Sequence, residues 1–210
     1  MTELSGDKAA VRRAVIVAGH TGDLALAQAG CTHHDAGVRS AALGALVRLG
    51  ALSADTLARF LLAADEPDIS VRRRAAELAA TFVEVSLLPA LHDPAWEVLE
   101  MACWSVGEHE VADDETLNRL IELAGAHEES LVREAAVAAL GAVGDPRGLP
   151  AIIAATSDKA PVRRRAAVSL APFEEPEAEE ALRGLLSDRD WQTRQIAEDL
   201  LDERPSAEPA

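Results

Sequence analysis

A short phrase that recurs seven times is the feature that most constrains the fold of this 210-residue chain. In its clearest form an acidic residue precedes Val-Arg, a run of small residues follows, and Leu or Gly ends it. The repeated position, about 30 residues apart on average, is occupied by Val11, Val38, Val71, Val98, Val132, Val162 and Thr193. Repeats of this length are typical of solenoids, in which stacked modules cover one another's apolar faces.

Each copy of the phrase has the periodicity of a helix. Val132, Ala136, Leu140 and Val143 are separated by steps of 4, 4 and 3 residues, which places them on one helix face. The acidic residue before Val-Arg suits a helix N-terminus, where it can cap the helix and complement its dipole. Second helices are predicted over residues 55–64, 116–124, 149–155 and 177–186. The sequence therefore predicts an all-α fold, a right-handed α-α superhelix of about seven ~30-residue helix pairs.

The composition agrees with closely packed helices. Apolar residues make up 49% of the chain, whereas aromatic residues make up only 3% and tyrosine is absent. A core built from Ala, Leu and Val suits helices better than sheets. We expect one continuous domain over residues 1–202 and a disordered, polar, proline-containing tail over residues 203–210.

The formal charge of −16 limits the classes of partner. It opposes binding to nucleic acid, which needs a positive surface, and to anionic membranes. Cys31 and Cys103, 72 residues apart, fit neither a disulfide framework nor a zinc site. We therefore predict a cytoplasmic monomer without a cofactor.

The phrase Asp-x-x-Val-Arg-x-x-Ala-Ala-x-x-Leu-Gly resembles the signature of the HEAT-repeat family, in particular its short bacterial version named after the phycobilisome lyases. The resemblance covers essentially residues 8–202 and implies an armadillo-type α-solenoid whose Val-Arg helices line a concave, ligand-facing side. It also implies that the Arg after each Val ties neighbouring repeats together through the acidic residue of the cap. These arginines are Arg39, Arg72, Arg133, Arg163 and Arg194. The resemblance implies a fold and not a function, because the family contains both scaffolds and enzymes.

The fourth copy differs from the others on the face that should be concave. Its residues at that face are Trp96, Glu97, Glu100, Met101, Trp104 and Glu108. Trp96, Glu100 and Trp104 fall within an arc of roughly 80° at ~100° per residue. Exposed tryptophan beside carboxylates is typical of a binding hot spot. The alternative is that Trp104 packs against a neighbouring helix and shows only its ring edge.

Neighbouring copies add charged residues to the same predicted face. These are Arg73, Arg74, Glu134, Arg164 and Arg165. A protein or peptide of mixed charge would fit such a surface, with the arginines binding carboxylates and Glu97 and Glu100 receiving a basic group. The alternative is a solvated surface on which the charges neutralise one another.

A metal site is a weaker hypothesis. The segment Cys31-Thr32-His33-His34-Asp35 puts four possible ligands into five residues. All of them lie in one loop, whereas a metal site needs side chains that converge from more than one element. We therefore predict no metal at this segment.

Three enzyme classes with HEAT-like repeats are alternatives. Trp96, Trp104 and Glu100 resemble the tryptophans and Asp of alkylpurine DNA glycosylases, although Glu replaces Asp and the net charge has the wrong sign. The His-Glu pairs of the iron-dependent deoxyhypusine hydroxylase resemble Glu108-His109-Glu110 and His127-Glu128, but the matching slots here hold Glu134-Ala135 and Glu100-Met101. A phycobilin lyase would need an exposed cysteine or a tetrapyrrole-sized pocket, whereas Cys103 is predicted to be a small core residue.

The prediction is therefore a non-catalytic scaffold or adaptor that binds a protein or peptide on its concave face. One of the three enzymes is the alternative, and a structural subunit that uses its convex helices is a third hypothesis. High Ala and Arg usage suggests a bacterial source.

Overall fold

The computed structural model describes residues 7–203, which form α-helices, two short 3-10 helices and no strand. The helices are α1 (Lys8–Thr21), α2 (Leu24–Gly30), α3 (Ala36–Arg48), α4 (Ala54–Phe60), α5 (Ile69–Ala79), α6 (Trp96–His109), α7 (Asp114–Ala126), α8 (Ser130–Val143), α9 (Leu149–Ala155), α10 (Ala160–Ser169), α11 (Pro176–Leu185) and α12 (Trp191–Asp202). The 3-10 helices span Ala90–His92 and Pro146–Gly148. The predicted all-α fold is confirmed.

All seven repeat positions fall within helices α1, α3, α5, α6, α8, α10 and α12, which we call the anchor helices. The four predicted second helices are α4, α7, α9 and α11, and α9 has the predicted bounds. After α5, the 3-10 helix Ala90–His92 stands where the second helix of the pair would be. The repeat of helix pairs is thus present, and in one pair the second helix is reduced to a single 3-10 turn.

The chain divides into two compact units, residues 1–98 and 99–210. In the first unit α1 packs on α3, and α3 packs on α5. In the second unit α8 packs against both α7 and α10, and α10 packs against α12. The single continuous domain over residues 1–202 stays a prediction. Of the predicted disordered tail only Glu203 is described, and residues 204–210 lie outside the described part.

Leucine, valine and alanine fill the interior of both units, as the composition predicts. In residues 7–98 the largest fully buried side chains include Leu43, Leu57 and Leu61. In residues 99–203 they include Leu140 and Ile152. Side chains of this size, packed at helix–helix contacts, supply most of the hydrophobic stabilisation.

Small residues let successive anchor helices approach closely. A Cβ atom added to Gly19 in α1 would lie 2.8 Å from Ala45 Cα in α3. One added to Gly141 in α8 would lie 2.6 Å from Ser169 Cβ in α10. Both distances are far below van der Waals contact, so these positions accept only glycine at the observed spacing.

Aspartates cap several anchor helices, as predicted. The Asp35 carboxylate accepts the backbone N–H of Val38 at 3.2 Å, and the Asp190 carboxylate accepts that of Thr193 at 3.0 Å. Asp68 accepts the N–H groups of both Ser70 and Val71 at the start of α5. Each cap satisfies backbone donors that have no partner inside the helix.

None of the helices within residues 7–203 combines the length and the apolar character that crossing a membrane requires.

Candidate functional site

The arginine after the repeated Val joins successive repeats through short ion pairs. In four copies it makes a bidentate ion pair with an acidic residue in the loop before the next anchor helix. The pairs are Arg39–Glu66 (2.6 and 2.5 Å), Arg72–Asp93 (2.6 and 3.0 Å), Arg133–Asp158 (2.6 and 2.7 Å) and Arg163–Asp188 (2.7 and 2.7 Å). We call these four pairs the arginine ladder. Bidentate ion pairs of this kind fix the relative orientation of the two side chains and also stabilise the contact.

Each ladder arginine also holds the loop in front of its own helix. Arg163 Nη1 donates to the carbonyl oxygen of Asp158 at 2.8 Å, and Arg133 Nη1 donates to that of His127 at 2.7 Å. One arginine therefore joins its own loop to the next one. The predicted tie between repeats is confirmed for Arg39, Arg72, Arg133 and Arg163. Arg194 instead donates to the carbonyl oxygen of Asp188, in the loop in front of its own helix, at 2.6 Å.

The acidic partner is not the cap residue itself, which corrects the sequence-based expectation. Asp68 and Asp190 cap their helices, whereas the ladder uses Glu66 and Asp188, two positions earlier. The earlier residue pairs with the ladder arginine of the preceding repeat, while the cap accepts backbone N–H groups of its own helix. The hydrogen bond from Arg163 lowers the pKa of Asp188 below its ordinary value, although partial burial opposes the shift.

Two histidines occupy ladder positions, a role that was not predicted from the sequence. The N–H of Asp68 donates to Glu66 at 2.9 Å, and in the same geometry the N–H of Asp35 donates to His33 Nδ1 at 3.0 Å. His127 Nδ1 accepts the N–H of Glu129 at 3.1 Å. The imidazole nitrogen therefore replaces a carboxylate oxygen. The signal was available, because both histidines stand two residues before a cap position.

The segment around Cys31 does not assemble a metal site. Within residues 7–203 no group of three or more His, Cys, Asp or Glu side chains is placed to hold an ion. His33 and His34 stack at 4.2 Å between ring centroids, and they line an open cavity of about 360 Å³ beside Arg39 and Glu66. Burial raises the pKa of the Cys31 thiol to about 11, which keeps it protonated at neutral pH.

The tryptophans of α6 are open to solvent. Trp96 is 37% exposed and Trp104 is 44% exposed, so neither indole ring is enclosed. Glu97, Glu100 and Met101 are half-buried and Glu108 is exposed. One helix face thus presents two indole rings with carboxylates between and beside them.

The opposite side of α6 packs into the core. Val98, Ala102 and Cys103 are buried. Cys103 is a small core residue, as predicted, and burial raises the pKa of its thiol to about 12. A buried, protonated thiol is a poor nucleophile and a poor attachment point for a chromophore.

Three of the four predicted docking arginines already face carboxylates of their own unit. Arg74 lies 2.8 Å from Glu77 in residues 1–98. In residues 99–210, Arg164 lies 3.0 Å from Asp190, and Arg165 lies 3.8 Å from Glu134. Arg73 is exposed, and no carboxylate of the described chain lies within ion-pair distance of it. The structure therefore brings Glu134 and Arg165 together and leaves Arg73 the most available cation of the set.

The third tryptophan was not included in the predicted site. Trp191 is 64% exposed and begins α12. It stands two residues before the repeated position, which is the place that Trp96 occupies in the fourth copy. Comparison of the two copies would have revealed this equivalence.

The fold and the ladder define an α-solenoid protein built from short helix pairs. The HEAT repeats family model matches residues 84–171, and the PBS lyase HEAT-like repeat model matches residues 162–188. The chain belongs to the HEAT-repeat family. No curated protein matches the sequence.

Solved structures agree with this fold. The chain is similar to an engineered protein with a TM-score of 0.61 and 18% identity, over 86% of this chain and 95% of that one. It is also similar to a designed armadillo repeat protein with a TM-score of 0.55 and 18% identity, over 94% of each chain. Human deoxyhypusine hydroxylase in complex with glycerol matches with a TM-score of 0.47 and 17% identity, over 91% of this chain and 78% of that one, a likeness too low to carry an argument.

Proposed function

We propose that this chain is a non-catalytic scaffold or adaptor that binds another protein or a peptide on the face formed by its anchor helices, which the family resemblance makes concave. The binding residues are centred on Trp96 and Trp104 of α6, with Glu97, Glu100 and Met101 beside them. The proposed setting is the cytoplasm of a bacterium, where the free thiols stay reduced. The proposed partner is a protein, because a formal charge of −16 disfavours nucleic acid.

The observation that carries the proposal is the exposure of both indole rings on one face of one helix. Of the three tryptophans of the chain, these two are 37% and 44% exposed on one helix, whereas side chains such as Leu43 and Leu140 are fully buried. Tryptophan supplies a large contact area with few rotatable bonds and is enriched at binding hot spots. Carboxylates next to the rings would add a preference for cationic groups.

The experiment is affinity purification with mass spectrometry from the source cells. Wild type is compared with the double variant Trp96→Ala/Trp104→Ala and with the double variant Val83→Ser/Val111→Ser. Val83 and Val111 are the matched control, because they are 67% and 65% exposed and lie outside the anchor helices. Circular dichroism at 222 nm checks that all three proteins have the same helix content.

The expected result is loss of at least one abundant partner by the tryptophan variant, with the Val83→Ser/Val111→Ser variant unchanged. A loss of ten-fold or more is the size of effect that a pair of hot-spot tryptophans produces. The proposal fails if every partner of the wild type is retained by the tryptophan variant at unchanged helix content.

A further inference from the structure

An exposed apolar row crosses three successive anchor helices within residues 99–210. Its members stand six residues after the repeated Val of each copy: Trp104 in α6, Ala138 in α8 and Val168 in α10. Trp104 is 44% exposed, Val168 is 47% exposed and Ala138 is half-buried. Equivalent positions on stacked repeats lie side by side, so these three residues form a continuous apolar surface.

Close packing of the three helices supports this alignment. In α8, Gly141 approaches Ser169 of α10, and a Cβ at Gly141 would lie 2.6 Å from Ser169 Cβ. In α6, a Cβ at Gly107 would lie 3.4 Å from Ala139 Cα of α8. In both helices the glycine stands nine residues after the repeated Val. The residue that it approaches stands seven residues after the repeated Val of the next anchor helix. The same register therefore holds at both contacts, and it keeps Trp104, Ala138 and Val168 in line.

Carboxylates border this row. Glu100 and Glu108 stand one helical turn before and after Trp104, and Glu134 stands one turn before Ala138. In α12 the position that continues the row holds Asp199, which is exposed. The cations of this face are already engaged, since Arg164 lies beside Asp190 and Arg165 beside Glu134.

The acidic charge of the chain is concentrated in the same unit. Residues 99–210 contain 24 Asp and Glu and 11 Lys and Arg, a formal charge of −13, whereas residues 1–98 carry only −3. Potentials of one sign raise the local concentration of oppositely charged partners and speed their association. The apolar row thus lies in the unit that attracts cations most strongly.

The first unit does not repeat this row. Its equivalent positions hold Val17, Gly44 and Glu77. Gly44 is buried, and Glu77 pairs with Arg74 at 2.8 Å. An apolar surface with an acidic border is therefore a property of residues 99–210.

We propose that the row formed by Trp104, Ala138 and Val168 binds an amphipathic segment of a partner protein that combines apolar side chains with Lys or Arg. The apolar side chains of the segment cover the row, and its cations pair with Glu100, Glu108 and Glu134. The Trp104 ring offers a further cation–π contact to the same cations. This inference rests on the proposed scaffold function and names the chemistry of the partner.

The test uses the full chain and three synthetic, fluorescently labelled peptides of about 18 residues, enough for roughly five helical turns. The first peptide combines Leu with Lys, the second combines Leu with Glu in the same pattern, and the third combines Ser with Lys at the same charge as the first. Fluorescence anisotropy measures the dissociation constant at low and at high ionic strength. The third peptide separates specific docking from general attraction to an acidic protein.

Three variants accompany the wild type. Trp104→Ala/Val168→Ser removes both ends of the row, and Glu100→Gln/Glu108→Gln removes two carboxylates of its border. Val111→Ser is the matched control, because Val111 is 65% exposed in the same unit but follows the end of α6. None of the substituted side chains is buried, so folding should be retained.

The Leu/Lys peptide is expected to bind the wild type at least ten-fold more tightly than either other peptide, and less tightly as salt rises. The Trp104/Val168 variant should weaken this binding about ten-fold, the glutamine variant about three-fold, and Val111→Ser should leave it unchanged.

Equal affinity for the Leu/Glu or the Ser/Lys peptide, or no effect of the Trp104/Val168 variant, would overturn the inference. So would a wild-type dimer in sedimentation that the Trp104/Val168 variant lacks, because a second copy would then be the occupant. Partners lost from the Trp96/Trp104 variant in the affinity purification would in those cases still support the scaffold function, so the two proposals fail separately.

Discussion

Replacement of Gly141 with alanine adds one methyl group between α8 and α10. The new Cβ would lie 2.6 Å from Ser169 Cβ, 2.8 Å from Ser169 Cα and 2.8 Å from Ser169 Oγ. Carbon atoms in ordinary contact are about 3.5–4.0 Å apart, so the helices must separate by roughly 1 Å. The Cα and Cβ atoms of Ser169 cannot move without α10, and the strain therefore falls on the helix pair.

The expected change in the free energy of unfolding is the sum of two opposing effects. Overpacking costs about 1–3 kcal/mol, and the rigid neighbours favour the upper end of that range. Alanine is better than glycine in a helix by about 1 kcal/mol, which offsets part of the strain. The expected net loss is about 2 kcal/mol in the free energy of unfolding. Gly184 in α11 is the matched control, since a Cβ there meets no atom within 4 Å.

Gly184→Ala should gain about 1 kcal/mol from helix propensity alone. The two variants should therefore differ by about 3 kcal/mol, or roughly 6–12 °C in Tm for a chain of this size. Thermal unfolding followed by circular dichroism measures the difference. Gly141→Ala combined with Ser169→Gly should recover part of the loss, because two of the three close contacts are with the Ser169 side chain. A Gly141→Ala variant as stable as Gly184→Ala would refute the close contact of α8 with α10.

Two further predictions concern the arginine ladder. The hydrogen bond from Arg133 lowers the pKa of Asp158 from its ordinary 3.8 in the folded protein. The ionised carboxylate therefore stabilises the fold fully above pH 3.8, and this stabilisation is lost as the pH falls through the lowered pKa. Asp158→Asn should therefore lose about 1–2 kcal/mol at pH 7 in urea unfolding, and its deficit relative to wild type should shrink as the pH falls below about 4; a deficit independent of pH would contradict the pairing. Arg12 follows the repeated Val11 as each ladder arginine follows its Val, and His33 stands in the loop before the next anchor helix. His33→Asp should therefore offer Arg12 the carboxylate that the ladder arginines have and raise stability by about 0.5–1 kcal/mol, whereas His34→Asp should not. Equal effects of the two substitutions in the same assay would show that His33 holds no ladder position.

Much of the ladder could be predicted from the sequence, but its partners could not. The recurring Arg indicated a tie between repeats, because a feature present in six of the seven copies belongs to the scaffold. Which acid it meets depends on the course of the loop before each anchor helix. That course places Glu66 and Asp188 toward the arginine and turns Asp68 and Asp190 toward their own helices.

For the candidate site too, the sequence predicted the local features but not the contacts between helices. Helical periodicity predicted that Trp96 and Trp104 share a face that the core does not need, and both rings are exposed. Periodicity says nothing of neighbours on other helices, so it could not reveal that Arg74, Arg164 and Arg165 already face carboxylates. Charges across helices pair or stay apart according to tertiary packing.

By itself the sequence determined the helices, their repeat and the residues that form the cores, because these follow from local propensity and from the spacing of apolar side chains. Tertiary structure alone decided which side chains of different repeats meet, as Gly141 meets Ser169 and Arg133 meets Asp158. It also decided that Trp104 and Val168 are exposed, which the proposed apolar row requires. The physical reason is that helix formation is local, whereas the register between stacked repeats depends on how closely small residues allow two helices to approach.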